Sequence, residues 1–99
     1  MNIDTDIDVA IPKAVQRLLK QRFAKYRLER VDVRAGEDHT GDPGLFIDAY
    51  FGLSDTPLDT SLVTESFTEI REALLKMGEK RFPYLWHHFH DEQAVAKRK

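Results

Sequence analysis

Two runs of this chain alternate apolar and polar residues with a period of two, and a segment crowded with turn formers lies between them. Val31 and Val33 alternate with Asp32 and Arg34, while Leu45, Ile47, Ala49 and Phe51 alternate with Phe46, Asp48 and Tyr50. A period of two puts successive side chains on opposite faces of a strand. The segment Gly36-Glu37-Asp38-His39-Thr40-Gly41-Asp42-Pro43-Gly44 supplies the Gly, Asp and Pro that turns use. An antiparallel hairpin with a loop over 36–44 is the simplest joining, and that loop is long for a hairpin. The second run is apolar on both parities, so Phe46 and Tyr50 either meet another layer or form an exposed patch that wants a partner.

Helical spacing flanks the hairpin. Pro12 suits an opening helical turn, and Val15, Leu18, Leu19, Phe23 and Tyr26 then share one side against Lys13, Arg17, Lys20 and Arg27 on the other, which predicts an amphipathic helix through about Tyr26. Before it, Ile3, Thr5, Ile7, Val9 and Ile11 alternate with acidic residues, read here as an extended arm. Val63, Phe67, Ile70, Leu74 and Met77 recur at steps of four and three, with Asp59, Thr60 or Ser61 as caps and Gly78 as terminator. The aromatic run Tyr84-Leu85-Trp86-His87-His88-Phe89-His90, after Pro83, reads as a third strand.

The expected architecture is α+β: helix, strand, strand, helix, strand, with residues 1–11 an N-terminal arm, 12–92 a single domain and 93–99 a polar tail. A crossover from the second strand is expected to set the third beside the first, giving a small antiparallel sheet with two helices on one face. Ninety-nine residues arranged this way bury a modest core and leave a sheet face open. A homodimer that covers this face relieves both problems, with Phe46, Tyr50 and Trp86 as its interface candidates.

Charge is unevenly distributed along the chain. Lys13 to Arg34 holds eight basic residues against two acids, whereas Ala35 to Leu75 holds nine acids against one base. Such a dipolar chain can orient a charged partner, but a nucleic-acid binder carries a net basic surplus and this chain carries −2. Without cysteine it forms no disulfide, thiolate or Cys-type zinc site. No apolar run approaches the roughly 18 residues of a membrane span, and Asp4, Asp6 and Asp8 are the opposite of a basic signal start. A cytoplasmic protein with no membrane contact is expected.

Three chemistries compete for the remaining polar residues. Asp38, His39 and Asp42 in the loop, with His88 and His90 on the third strand, have the oxygen and imidazole donors that a zinc or manganese ion takes, although no H-E-x-x-H or EF-hand spacing is present. A metal-binding or metal-dependent hydrolytic protein is thus one alternative. An RNA-binding module is another: Phe46, Tyr50 and either Trp86 or Tyr84 would stack bases while Lys13, Arg17, Lys20 and Arg27 held phosphates. Against it, Asp32 and Asp48 share the stacking face. No G-x-S-x-G elbow or phosphate-cradling glycine loop occurs, so no catalytic residue and no cofactor is assigned.

The stretch from Val31 to Ile47, with its loop pattern G-E-D-H-x-G-D-P, followed by Arg81-Phe82-Pro83-Tyr84 and His87-His88-Phe89, resembles small uncharacterised bacterial proteins of about this length. The resemblance spans roughly residues 28 to 92. It carries no established activity and implies a small accessory protein made beside a larger partner, in the manner of antitoxins. The leading reading is therefore a non-enzymatic protein-interaction module, a homodimer with a possible larger protein partner.

Overall fold

The computed structural model describes residues 7–52 and 58–89. Its elements are α1 (Ala10–Arg22), β1 (Leu28–Glu37), β2 (Pro43–Phe51), α2 (Thr60–Lys76) and β3 (Phe82–Phe89), the α+β order expected from the pattern of periods. Of the N-terminal arm, residues 1–6 lie outside the described residues, as do His90 and the polar tail.

Helix α1 starts two residues ahead of Pro12 because Asp8 begins it. The Asp8 carboxylate accepts from the Ala10 amide at 2.9 Å and its carbonyl from the Ile11 amide at 2.9 Å. Pro12 then falls in the first turn, where a missing N–H leaves nothing unsatisfied. The helix stops at Arg22 rather than Tyr26, and a turn closed by the Tyr26 amide on the Phe23 carbonyl (3.0 Å) keeps both rings buried. For α2, Asp59 is the cap, accepting from the Ser61 amide at 2.9 Å. Its far end is a Schellman turn: Gly78, at φ +82°, donates to the Leu75 carbonyl and Glu79 to the Leu74 carbonyl. Ile70 and Leu74 are buried as their spacing requires, but Met77 lies past the last turn and is exposed. Ser66 is buried instead, its hydroxyl donating to the Val63 carbonyl at 2.9 Å.

The sheet corrects the expected topology. Its order is β1-β2-β3, with β2 antiparallel to β1 and parallel to β3, so it is mixed and β3 lies beside β2. The reason is in the side chains. β2 is the most buried of the three strands, with Leu45, Ile47, Ala49 and Phe51 closed off on the core face, which suits the middle place, whereas β1 alternates with Arg30, Asp32 and Arg34 and suits an edge. The crossover through α2 then returns the chain to the free side of β2.

One core joins the layers: Ile11, Val15 and Leu19 of α1 and Ile70 and Leu74 of α2 pack in a single cluster with Val31, Leu45, Ile47, Ala49 and Phe51. An ion pair between Arg22 and Glu69 ties the two helices. Among the described residues, nothing of the opposite sheet parity enters this cluster. Among the described residues no helix is long and apolar enough to cross a membrane.

Candidate interaction surface

The strand registers fix what the other sheet face displays. Arg30, Tyr50 and His88 stand in one cross-strand row, Asp32, Asp48 and Trp86 in the next, and Arg34, Phe46 and Tyr84 in a third. Two of these rows are stacks. The Arg30 guanidinium lies 4.2 Å from the Tyr50 ring centre, and the Tyr50 ring lies 4.6 Å from His88 with planes 15° apart. Arg34 covers Phe46 at 4.8 Å, and Phe46 stacks on Tyr84 at 5.4 Å and 17°. Rings this close and this parallel must turn faces toward one another, because side-by-side rings in one plane would collide. Each stack therefore uses a ring's faces on its neighbours, and Phe46 and Tyr50 are half-buried by the molecule itself.

Trp86 is different. It keeps 60% of its surface exposed, the most of any aromatic among the described residues, and no ring or cation covers it there. Beside it, His88 Nε2 lies 2.8 Å from Asp48 Oδ1; an ionised carboxylate only accepts, so Nε2 carries the proton. Asp32, opposite Asp48, pairs with Arg30 at 3.2 Å.

The polar loop is shorter and more occupied than its composition predicts. Gly36 pairs with Gly44 and Glu37 with Pro43, so the strands run into the segment and only Asp38 to Asp42 connect them, an ordinary hairpin length. Asp38 organises this turn. Its Oδ1 accepts from the Thr40 amide (2.9 Å), the Thr40 hydroxyl (2.7 Å) and the Asp42 amide (2.9 Å), and its amide donates to the Asp42 carbonyl. Gly41, at φ +90°, completes the reversal. The second oxygen, Oδ2, accepts from the Tyr84 hydroxyl at 2.7 Å, which fastens the hairpin tip to β3 across 46 positions of sequence. The bonds from Thr40 and then Tyr84 hold the Asp38 carboxyl well below the usual carboxylate range, and Asp38 pushes the Tyr84 hydroxyl up. Gly44 makes room for this strut, since a β-carbon there would come within 3.0 Å of Tyr84 Cε2.

These placements separate the metal candidates. Asp38 is engaged by its turn and Tyr84, His39 is exposed at the loop tip, His88 is bonded to Asp48 on the sheet, and His90 lies outside the described residues. Among the described residues no three His, Asp or Glu side chains stand together to hold a metal ion. The basic candidates are likewise apart from the aromatic face: Lys13, Arg17 and Lys20 occupy the exposed side of α1, whose buried side joins the core, and Arg27 is exposed just ahead of β1.

On the core side of β3, His87 packs against Phe51 (5.9 Å, 18°) and Phe23 (5.7 Å), and its buried Nε2 has no hydrogen-bond partner among the described residues. Burial, with His88 nearby, pushes its pKa down. It lines a groove of about 330 Å³ between α2 and β3 together with Val63, Phe67, Pro83 and Leu85. Sequence reasoning singled out neither the arginine covers nor the Asp48–His88 and Asp38–Tyr84 pairs. The signal that finds them is the register of β3 against β2.

Comparisons with protein-family models, with curated proteins and with solved structures return no match to this chain.

Proposed function

We propose that this chain is a non-enzymatic, cytoplasmic interaction module of the accessory kind, which binds protein through the sheet face and edge around Trp86. One observation carries the reading: a tryptophan with 60% of its surface in water stands at the centre of an outer strand, between Tyr84 and His88. Exposed tryptophan is uncommon on free surfaces and enriched where proteins meet. The rest of the face supports protein recognition over chemistry. The paired strand positions there bring no Ser, Thr or Cys beside the Asp48–His88 pair to serve as a nucleophile. A base-stacking role is disfavoured because the faces of Phe46 and Tyr50 are covered and Asp32 and Asp48 lie between the arginines.

Affinity capture from an extract of the source cell, run in parallel with wild type and Trp86→Ser, tests this. A protein, further copies of this chain included, that wild type retains and Trp86→Ser releases is the expected result. Equal retention by both variants, salt-sensitive retention of nucleic acid, or a stoichiometric metal in chelator-free protein would overturn it.

A further inference from the structure

The interaction reading leaves the partner open, and the β3 edge points to one. From Tyr84 to Phe89 this strand carries no Asp, Glu, Lys or Arg, and among the described residues nothing pairs with its outer side. Only Pro83, at its start, is a residue of the kind that blunts an edge. The stacked rows also end here without closure. Among the described residues no ring stacks on the outer side of His88 or Trp86, and besides Phe46 the Tyr84 ring meets only Phe82 of its own strand, tilted at 5.1 Å and 60° and shared with Phe67 and Arg71 of α2.

We propose that two copies of this chain pair β3 against β3, antiparallel and with Trp86 opposite Trp86, to make one continuous sheet. This rests on the interaction reading and names its partner. A two-fold axis perpendicular to the sheet keeps like faces together and makes the paired strands antiparallel. With Trp86 on that axis, Tyr84 falls beside the second copy's His88. The row Arg34–Phe46–Tyr84 then continues into His88–Tyr50–Arg30 of the other copy, a stack of rings capped by a guanidinium at each end. On the core side the same register sets Leu85 beside the second copy's His87 and Pro83 beside its Phe89, so apolar surface meets apolar surface. Sliding the register by two residues puts Trp86 against Tyr84 and breaks both rows. The strand's lack of fixed charge completes the argument, since no like charges face each other across the axis.

Native mass spectrometry of the full chain at tens of micromolar tests the pairing, with cross-linking to test the register. Wild type is expected at twice the chain mass and Trp86→Lys at the chain mass with an unchanged far-ultraviolet spectrum. The chain has no cysteine, so a single one reports cleanly. Directly opposed α-carbons in an antiparallel pair are about 4.5–5.5 Å apart, within disulfide reach. Trp86→Cys weakens the pairing but leaves the strand backbone free to meet its copy transiently, and oxidation traps that encounter, so a covalent dimer is expected of it while Asp32→Cys on β1 stays single. A wild-type monomer, a dimer that survives Trp86→Lys, or equal cross-linking by the two cysteine variants would overturn the proposal. A monomer that still captures another protein in a Trp86-dependent way ends the dimer and leaves the interaction reading standing; a monomer that captures nothing ends both.

Discussion

The sheet has two outer strands, and they follow opposite rules. On its open face β1 presents Arg30, Asp32 and Arg34, charges whose hydration discourages another strand from docking alongside. The same face of β3 presents Tyr84, Trp86 and His88. Between them β2 is packed on both sides, and its Phe46 and Tyr50 are each held by an arginine from one neighbour and a ring from the other. The aromatic rows thus have a finished end and an unfinished one. An edge is set by a few side chains of one parity, and two strands of one small sheet can be assigned opposite roles without any change of fold.

The most disruptive way to break this contrast is to strip β1 of its charges. In the triple variant Arg30→Thr, Asp32→Thr, Arg34→Thr both edges become pairable, and a chain with two pairable edges forms open-ended assemblies; light scattering is expected to show species well beyond a dimer. Next comes Gly44→Val, which drives a side chain into the Tyr84 ring and is expected to cost about 1–3 kcal/mol. Hydrogen exchange localises that loss: β3 amides should lose more protection than those of β1, and equal losses would mean that Tyr84 does not hold β3 in place.

Smaller effects follow from titration. Because burial lowers the pKa of His87, the unfolded chain takes up a proton before the folded one as pH falls below about 6.5. Stability is fully present above that pH and declines beneath it, and His87→Phe should flatten the denaturation midpoint between neutral and mildly acidic pH. The smallest change is expected of Tyr84→Phe, which lowers the melting temperature at neutral pH by removing one bond to Asp38. The depressed Asp38 carboxyl contributes stability above the unfolded carboxylate pKa, about 3.9, and loses it as pH falls further, so wild type and Tyr84→Phe should converge in acid.

Local signals in the sequence located every element. Asp59 and Gly78 bound α2 through bonds made within a few residues of themselves, and the apolar parity of β2 was visible as a repeat. What the repeat could not convey was adjacency. Placing β3 beside β1 instead of β2 leaves each strand's own pattern intact while exchanging its neighbours, so the pairs that build the surface, Asp48 with His88 and Phe46 with Tyr84, stayed hidden although each residue was in view. The loop misled for a related reason. Gly36 and Gly44 look like turn residues, yet they pair with each other as strand residues, with a ring lying over each. Trp86 was legible as an interface candidate from its type and strand, whereas the bond by which Tyr84 holds the hairpin tip was not, because it depends on a carboxylate 46 positions away.

The strand order also sets a timetable for the chain as it is made. The partner of β2 on one side, β1, has already left the ribosome when β2 emerges, whereas its partner on the other side follows a whole helix later. At elongation rates of roughly 5–20 residues per second, the β3-facing edge of the most apolar strand waits for seconds with nothing to pair with. During that interval the nascent hairpin's unpaired edge is open to mispairing, and slow codons between Phe51 and Phe82 would lengthen its exposure.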